Sequence, residues 1–264
     1  MGKGNVLLVV ALLVGSWAPA VLLSQEGDQD SRSFETTIEA AAEAYEEGDL
    51  AEAEELYRTA LEEDPENAAI YYNLGNIHYD RGEYGRAIAA YENAVDRGGR
   101  DLRLFYNLGN AYYGHGNFDA ALEAYRDARA AGDGEGSDGA LTVNSAKTLL
   151  QLGRTAEARE LLQGQVEENS EDSRGWFYLG NIAYEGEDYE AAAGHFRRAV
   201  ELEAGLIQGH FNLGNTLFRL EEYRGAAEAF NEVVSRRPND TDAIYNLGLS
   251  YIRLAENLSS SEEE

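Results

Sequence analysis

Apolar residues are distributed along this chain in two ways. Near the amino terminus they form a run, unbroken from Val6 to Val14 and resumed at Val21-Leu22-Leu23. From Phe34 onward they alternate with polar residues in a pattern that returns at a fixed interval. Tyr72-Asn73-Leu74-Gly75-Asn76 recurs as Tyr106-Asn107-Leu108-Gly109-Asn110, then as Tyr178-Leu179-Gly180-Asn181, Asn212-Leu213-Gly214-Asn215 and Asn246-Leu247-Gly248. The glycines at 75 and 109 are 34 residues apart, as are those at 180, 214 and 248; the 71 positions between 109 and 180 hold two repeats plus three extra residues. A degenerate copy fills that gap, with Asn144-Ser145-Ala146 in place of Asn-Leu-Gly. A first copy precedes the rest, with Ala41 in the glycine slot. A fixed period of this length means stacked units, each too small to bury its own apolar face. With 28 Gly, only 3 Pro, and Ala, Glu, Leu and Arg dominant, those units are predicted to be helices broken by glycine turns, and the chain all-α.

The slots resemble those of the tetratricopeptide repeat family: an aromatic, Leu-Gly, Tyr, then a later Ala, an aromatic, Ala and Pro. In the second copy they hold Tyr71, Leu74, Gly75, His78, Ala87, Tyr91, Ala94 and, in place of proline, Gly99; in the sixth they hold His210, Leu213, Gly214, Leu217, Ala226, Phe230, Val233 and Pro238. The resemblance implies a solenoid, a right-handed superhelix of antiparallel helix pairs. Six repeats fall near 34–67, 68–101, 102–138, 139–172, 173–206 and 207–240, followed by a capping helix over 241–258 and a disordered acidic tail over 259–264. Gly in the first helix and Ala in the second let the backbones approach, while Leu and the aromatics fill the space between pairs. Gly82, Gly116 and Gly153 stand where the first helix stops, a natural place for a positive φ. Glu187 and Glu221 occupy that position in the fifth and sixth repeats, so those turns are expected to close differently. The glycine-rich stretch from Gly132 to Gly139 is expected to be a flexible connection.

The first 23 residues read as an address. Lys3, a short apolar core and Ala18-Pro19-Ala20 have the layout of a secretory signal cleaved after Ala20. Val6 to Leu23 also makes a helix of about 27 Å, long enough for an uncleaved membrane anchor. Both readings place the rest of the chain outside the cytoplasm, in a bacterial periplasm or envelope. Residues 24–33 form a polar spacer.

The chain has 264 residues, 49 acidic against 21 basic, and a formal net charge of -28, with Lys3 and Lys147 its only lysines. Such a surface repels phosphate backbones, which excludes nucleic acid as the expected partner; salt adaptation and a basic client peptide both remain open as its purpose. No cysteine is present, so thiolate chemistry, zinc-cysteine sites and disulfides are all absent. His78, His115, His195 and His210 fall in different slots without metal-binding spacing, and counting from Asp133 places Asp138 and Asn144 where a calcium loop needs Gly and Glu. No phosphate loop, nucleophile elbow or zinc-protease helix is found. The expectation is a non-enzyme with no cofactor and no metal.

In the family that the chain resembles, first helices line a concave surface on which extended or short helical peptides lie. Carried over residue by residue, one slot of that surface holds Asn73, Asn107, Asn144, Asn212 and Asn246, and a second, three residues on, holds Asn76, Asn110, Asn181 and Asn215. The two slots share a helix face. Asparagine offers both donors and an acceptor, so a ladder of them is suited to a peptide backbone; the same ladder also serves to tie helices together. Tyr72, Tyr106, Phe177, Phe211 and Tyr245 precede the first slot and are candidates for apolar contact or for core. A clamp for a terminal carboxylate is disfavoured, since Arg103, Lys147, Arg174, Arg219 and Arg253 are dispersed among acids. The function expected is an extracytoplasmic scaffold or adaptor that binds peptide segments of other proteins in the groove. The alternatives are a self-assembling homo-oligomer and a non-enzymatic subunit of an envelope complex, with membrane attachment through residues 6–23 open in each case.

Overall fold

The computed structural model describes residues 29–132 and 138–261, and all its regular structure is helical. The expectations for residues 1–23, for the spacer up to residue 28, for most of the glycine-rich connection and for residues 262–264 lie outside the described residues. The chain divides into two compact units, with the boundary between Asp133 and Gly134.

The first unit comprises α1 (Gln29–Glu47), α2 (Leu50–Glu63), α3 (Ala68–Asp80), α4 (Tyr84–Asp96), α5 (Leu102–His115) and α6 (Phe118–Ala131). The second comprises α7 (Asp138–Gln151), α8 (Thr155–Glu168), α9 (Ser173–Glu185), α10 (Tyr189–Leu202), α11 (Ile207–Arg219), α12 (Tyr223–Arg236) and α13 (Thr241–Ser261). Within each unit the helices pack in consecutive pairs, and each pair packs on the next. The six pairs coincide with the six repeats read from the sequence.

Local chemistry starts these helices. Asp49, Asn67, Asp101, Asn117, Asp172 and Asp188 are N-caps whose side chains accept from amides in the first turn, for example Leu104 N to Asp101 Oδ1 at 3.0 Å. Second-helix residues fill the core. Tyr57, Tyr91, Tyr125, Phe196 and Phe230 are buried, each between alanines or an alanine and a valine one turn away.

The marker glycines share one environment. A Cβ at Gly109, Gly180 or Gly214 would lie 2.5, 2.6 or 2.8 Å from ring carbons of Tyr125, Phe196 or Phe230, and one at Gly75 would collide with Tyr91 in the same manner. In these four repeats the ring of the second helix thus sits on the backbone of the first, closer than a Cβ allows; in the first repeat Ala41 stands in the slot, with Tyr57 at the ring position. The fourth repeat makes the complementary choice: Ala146 stands in the glycine slot, Leu162 replaces the ring, and both are fully buried.

The turn between paired helices departs from expectation. Gly82, Gly116 and Gly153 have φ of 72°, 85° and 71°, and Glu187 and Glu221 have 60° and 63°. The bonding is also alike: Asn117 N donates to Tyr112 O at 2.9 Å, Asp188 N to Ala183 O at 3.0 Å, and Glu222 N to Leu217 O at 2.9 Å. The fifth and sixth repeats therefore close the same turn with a strained glutamate, because the packing of their helices fixes the backbone path whatever residue stands there.

Two boundaries shift. Helix α1 begins at Gln29, inside the expected spacer, and α13 runs to Ser261, three residues into the expected tail. Neither extension contains a Gly or Pro to stop it, so helical hydrogen bonding propagates through polar sequence. Helix α13 buries Ala243 and Ser250 and packs on α12. Its far side is not the wet surface expected of a cap: Ile244, Tyr245, Tyr251 and Ile252 are exposed there.

Candidate functional site

The asparagines of the two slots meet across repeats. Asn107 Nδ2 donates to Asn76 Oδ1 at 3.1 Å, Asn212 Nδ2 to Asn181 Oδ1 at 2.8 Å, and Asn246 Nδ2 to Asn215 Oδ1 at 3.4 Å. Each bond joins the second slot of one first helix to the first slot of the next. The ladder therefore ties successive repeats together within each unit. All nine asparagines named from the sequence are half-buried, so they remain accessible along one edge. Asn73 makes no hydrogen bond among the described residues, and Asn144 stands at the same register in α7.

The two units differ in how the ladder is held. In the first, the second-helix ring is a tyrosine: Tyr91 Oη donates to Asn76 Oδ1 and Tyr125 Oη to Asn110 Oδ1, both at 2.8 Å. Asn107 Nδ2 donates also to Tyr72 Oη at 3.1 Å. In the second unit the rings are Phe196 and Phe230, which have no hydroxyl to offer Asn181 and Asn215. Their side-chain nitrogens make no hydrogen bond among the described residues, so each keeps amide hydrogens for a ligand.

That difference coincides with a cavity. A groove of about 490 Å³ lies along α7, α9 and α11, lined by Leu150, Gln151, Tyr178, Asn181, Tyr184, Glu185, Asn212 and Asn215. Three consecutive first helices thus present one wall, and the floor is amide-rich. Glu185 is the one charged side chain among the lining residues, so the groove favours a cation at that end. Gln151, Tyr184 and Glu185 were not among the residues named from the sequence; they follow the marker slot by four or five positions, one turn further along the same face.

The aromatic slot serves packing. Tyr72, Tyr106, Phe177 and Phe211 lie 5.9, 6.0, 5.9 and 5.7 Å by ring centroid from Tyr91, Tyr125, Phe196 and Phe230 of their own repeats. Tyr72 is buried and the other three half-buried. Tyr245, whose helix has no such neighbour, is exposed. Burial pushes the phenols of Tyr91 and Tyr125 well above their usual range. No group of three His, Asp or Glu side chains able to hold a metal occurs among the described residues.

Comparison with known proteins agrees with this geometry. Two models of the tetratricopeptide repeat match the chain, one over residues 38–101, 72–136 and 143–206, the other over 207–240, together well over half its length. Comparison with curated protein sequences finds no match. Among solved structures, YrrB, a TPR protein with an unusual peptide-binding site, is 25% identical with a TM-score of 0.53, covering 72% of this chain and 96% of that one. PilF of Pseudomonas aeruginosa is 16% identical with a TM-score of 0.64, covering 87% and 100%. PilW, a widely conserved type IV pilus biogenesis factor, is 14% identical with a TM-score of 0.67, covering 84% and 99%. The last two likenesses establish the fold.

Proposed function

The chain belongs to the tetratricopeptide repeat family, and we propose that it is an extracytoplasmic adaptor holding an extended segment of a partner protein along α7, α9 and α11. The coarse role, a protein-interaction scaffold, is that of the family, whose members are in general non-catalytic. The groove carries the finer reading. Its floor offers unpaired amide hydrogens from Asn181 and Asn215, which suit the carbonyl oxygens of an extended backbone and read no side chain. Tyr178 and Tyr184 offer apolar wall, and Glu185 favours a Lys or Arg in the bound segment. The binding site of YrrB supports peptide capture as a use to which this architecture is put.

The asparagines of the first unit, Asn73, Asn76, Asn107 and Asn110, are a secondary surface in this reading, since tyrosine hydroxyls already hold two of them. The export reading rests on residues 1–23 of the sequence. No helix among the described residues is long and apolar enough to cross a membrane.

The test is affinity recovery of partners from cells expressing the chain or its Asn181→Ala/Asn215→Ala variant, with circular dichroism to verify the fold. At about 0.5–1.5 kcal/mol per hydrogen bond, recovery should fall about tenfold. Undiminished recovery from a folded variant refutes the groove. Amino-terminal sequencing of the mature protein separates cleavage, which leaves Val21 first, from an anchor that begins at Met1 or Gly2. Recovery of the chain in the cytoplasmic fraction refutes export.

A further inference from the structure

Helix α13 stands in the register of a first helix, and among the described residues no second helix covers its marker glycine. In the second, third, fifth and sixth repeats an aromatic ring covers the marker glycine, yet a Cβ at Gly248 would meet no heavy atom within 4 Å. Around it Ile244, Tyr245, Tyr251 and Ile252 are 46%, 69%, 55% and 57% exposed. At 3.6 residues per turn all four lie within about 60° of Gly248 around the helix, one continuous apolar strip with a small residue at its centre. The opposite side of α13, at Ala243 and Ser250, is fully buried against α12. An apolar strip on an otherwise strongly acidic chain marks an interaction surface.

We propose that this strip joins two copies of the chain, with their α13 helices antiparallel about a two-fold axis at Gly248. The strip is self-complementary in that arrangement. It sets Gly248 on Gly248, with Ile244 beside Tyr251 on one flank and Tyr245 beside Ile252 on the other, so the glycines let the helices approach and the large residues flank them. The order of residues selects the same partner: Ile244, Tyr245, Gly248, Tyr251 and Ile252 read the same in both directions about Gly248, so a reversed second copy repeats the apolar pattern against the first. Antiparallel apposition is also how each second helix already covers its first. A contact of this kind is isologous and closes at two copies. Net charges of -28 on each copy oppose the approach at long range, so added salt strengthens the association. The surface is separate from the groove along α7, α9 and α11, and the inference does not depend on the groove.

The test is sedimentation equilibrium of the full chain from about 1 to about 100 µM, with variants verified by circular dichroism. The parent is expected to dimerise, and Tyr245→Ser/Tyr251→Ser, at exposed positions that leave the core intact, to weaken the dimer by about tenfold or more. The chain has no cysteine, and Thr241 and Ala255 are exposed seven residues either side of Gly248, about 20° from it around the helix, so an equal mixture of Thr241→Cys and Ala255→Cys proteins should form a mixed disulfide that neither forms alone. A monomer at every concentration overturns the proposal. So does undiminished association of the double tyrosine variant, which would place any self-association elsewhere in the chain. Absence of that mixed disulfide overturns the antiparallel pairing.

Discussion

Adding one methyl group at Gly180 tests the contact on which the fold rests. The new Cβ would lie 2.6 Å from Cδ1 and Cε1 of Phe196, whose ring is fully buried. Carbon atoms rest about 3.5–4.0 Å apart, so ring or helix must move by about 1 Å. Overpacking of that kind costs about 1–3 kcal/mol, while Ala gains about 1 kcal/mol over Gly in a helix interior; the net expectation for Gly180→Ala is a loss of up to about 2 kcal/mol. Gly194 in α10 is the control, since a Cβ there meets nothing within 4 Å, and Gly194→Ala should stabilise by up to about 1 kcal/mol. The fourth repeat supplies the rescue: Ala146 with Leu162 is the native pairing there, so Phe196→Leu should be far less harmful in the Gly180→Ala background than alone, with a coupling of about 1–2 kcal/mol. Urea denaturation followed by Trp176 fluorescence is the assay, in a Trp17→Phe background that leaves one indole. Trp176 stacks on His195 at 5.5 Å and so reports the α9 and α10 pair directly. If Gly180→Ala is no less stable than Gly194→Ala, the ring-on-backbone contact does not govern packing and the reasoning fails.

Three further outcomes follow from the same geometry. Glu187→Gly and Glu221→Gly each relieve a left-handed backbone that costs a side chain about 1–2 kcal/mol; after the added freedom of glycine when unfolded, each should stabilise by about 1 kcal/mol in the same urea assay, and no gain would contradict the strain. Asn107→Ala removes the donors to Tyr72 and Asn76 and should cost about 1–2 kcal/mol, whereas Asn73→Ala should stay within about 0.5 kcal/mol; equal effects would deny the ladder its structural part. Burial pushes the Tyr57 phenol up to about 12 and those of Tyr91 and Tyr125 higher still, against about 10 in the unfolded chain. The native state therefore holds protons that the unfolded state releases, and their stabilisation, complete below pH 10, is lost as pH rises from about 10 towards 12 and above. Residues 29–132 should thus melt at alkaline pH before residues 138–261, where the equivalent rings include Phe196 and Phe230; hydrogen exchange at stepped pH distinguishes the two, and loss in the reverse order refutes the argument.

The helix-pair repeat and its marker glycines were legible in the sequence because both depend on spacing. Gly75, Gly109, Gly180 and Gly214 record an approach closer than a Cβ allows, and Ala41 with Tyr57 and Ala146 with Leu162 keep a small residue in the same slot. The turns at Glu187 and Glu221 were misread, since residue preference there is overruled by the packing of the helices on either side. The asparagine ladder was visible as a pattern, but its partners lie about 31 residues away and only coordinates pair them. One signal could have located the more open stretch: Tyr91 and Tyr125 give way to Phe196 and Phe230, and the hydroxyl that holds the asparagine is lost with them. The apolar outer face of α13 was equally present in the sequence, as Ile244, Tyr245, Tyr251 and Ile252 three and four positions either side of Gly248.

The claim that partners lie along α7, α9 and α11 is tested most directly by photo-crosslinking in intact cells. A photoreactive residue replaces Gln151, Tyr184 or, as a control on the exposed side of α12, Glu228, and the captured segments are identified by mass spectrometry. The account predicts that positions 151 and 184 capture the same partner segment and that 228 does not. Capture of that segment at 228 alone, or equally at all three, would contradict it.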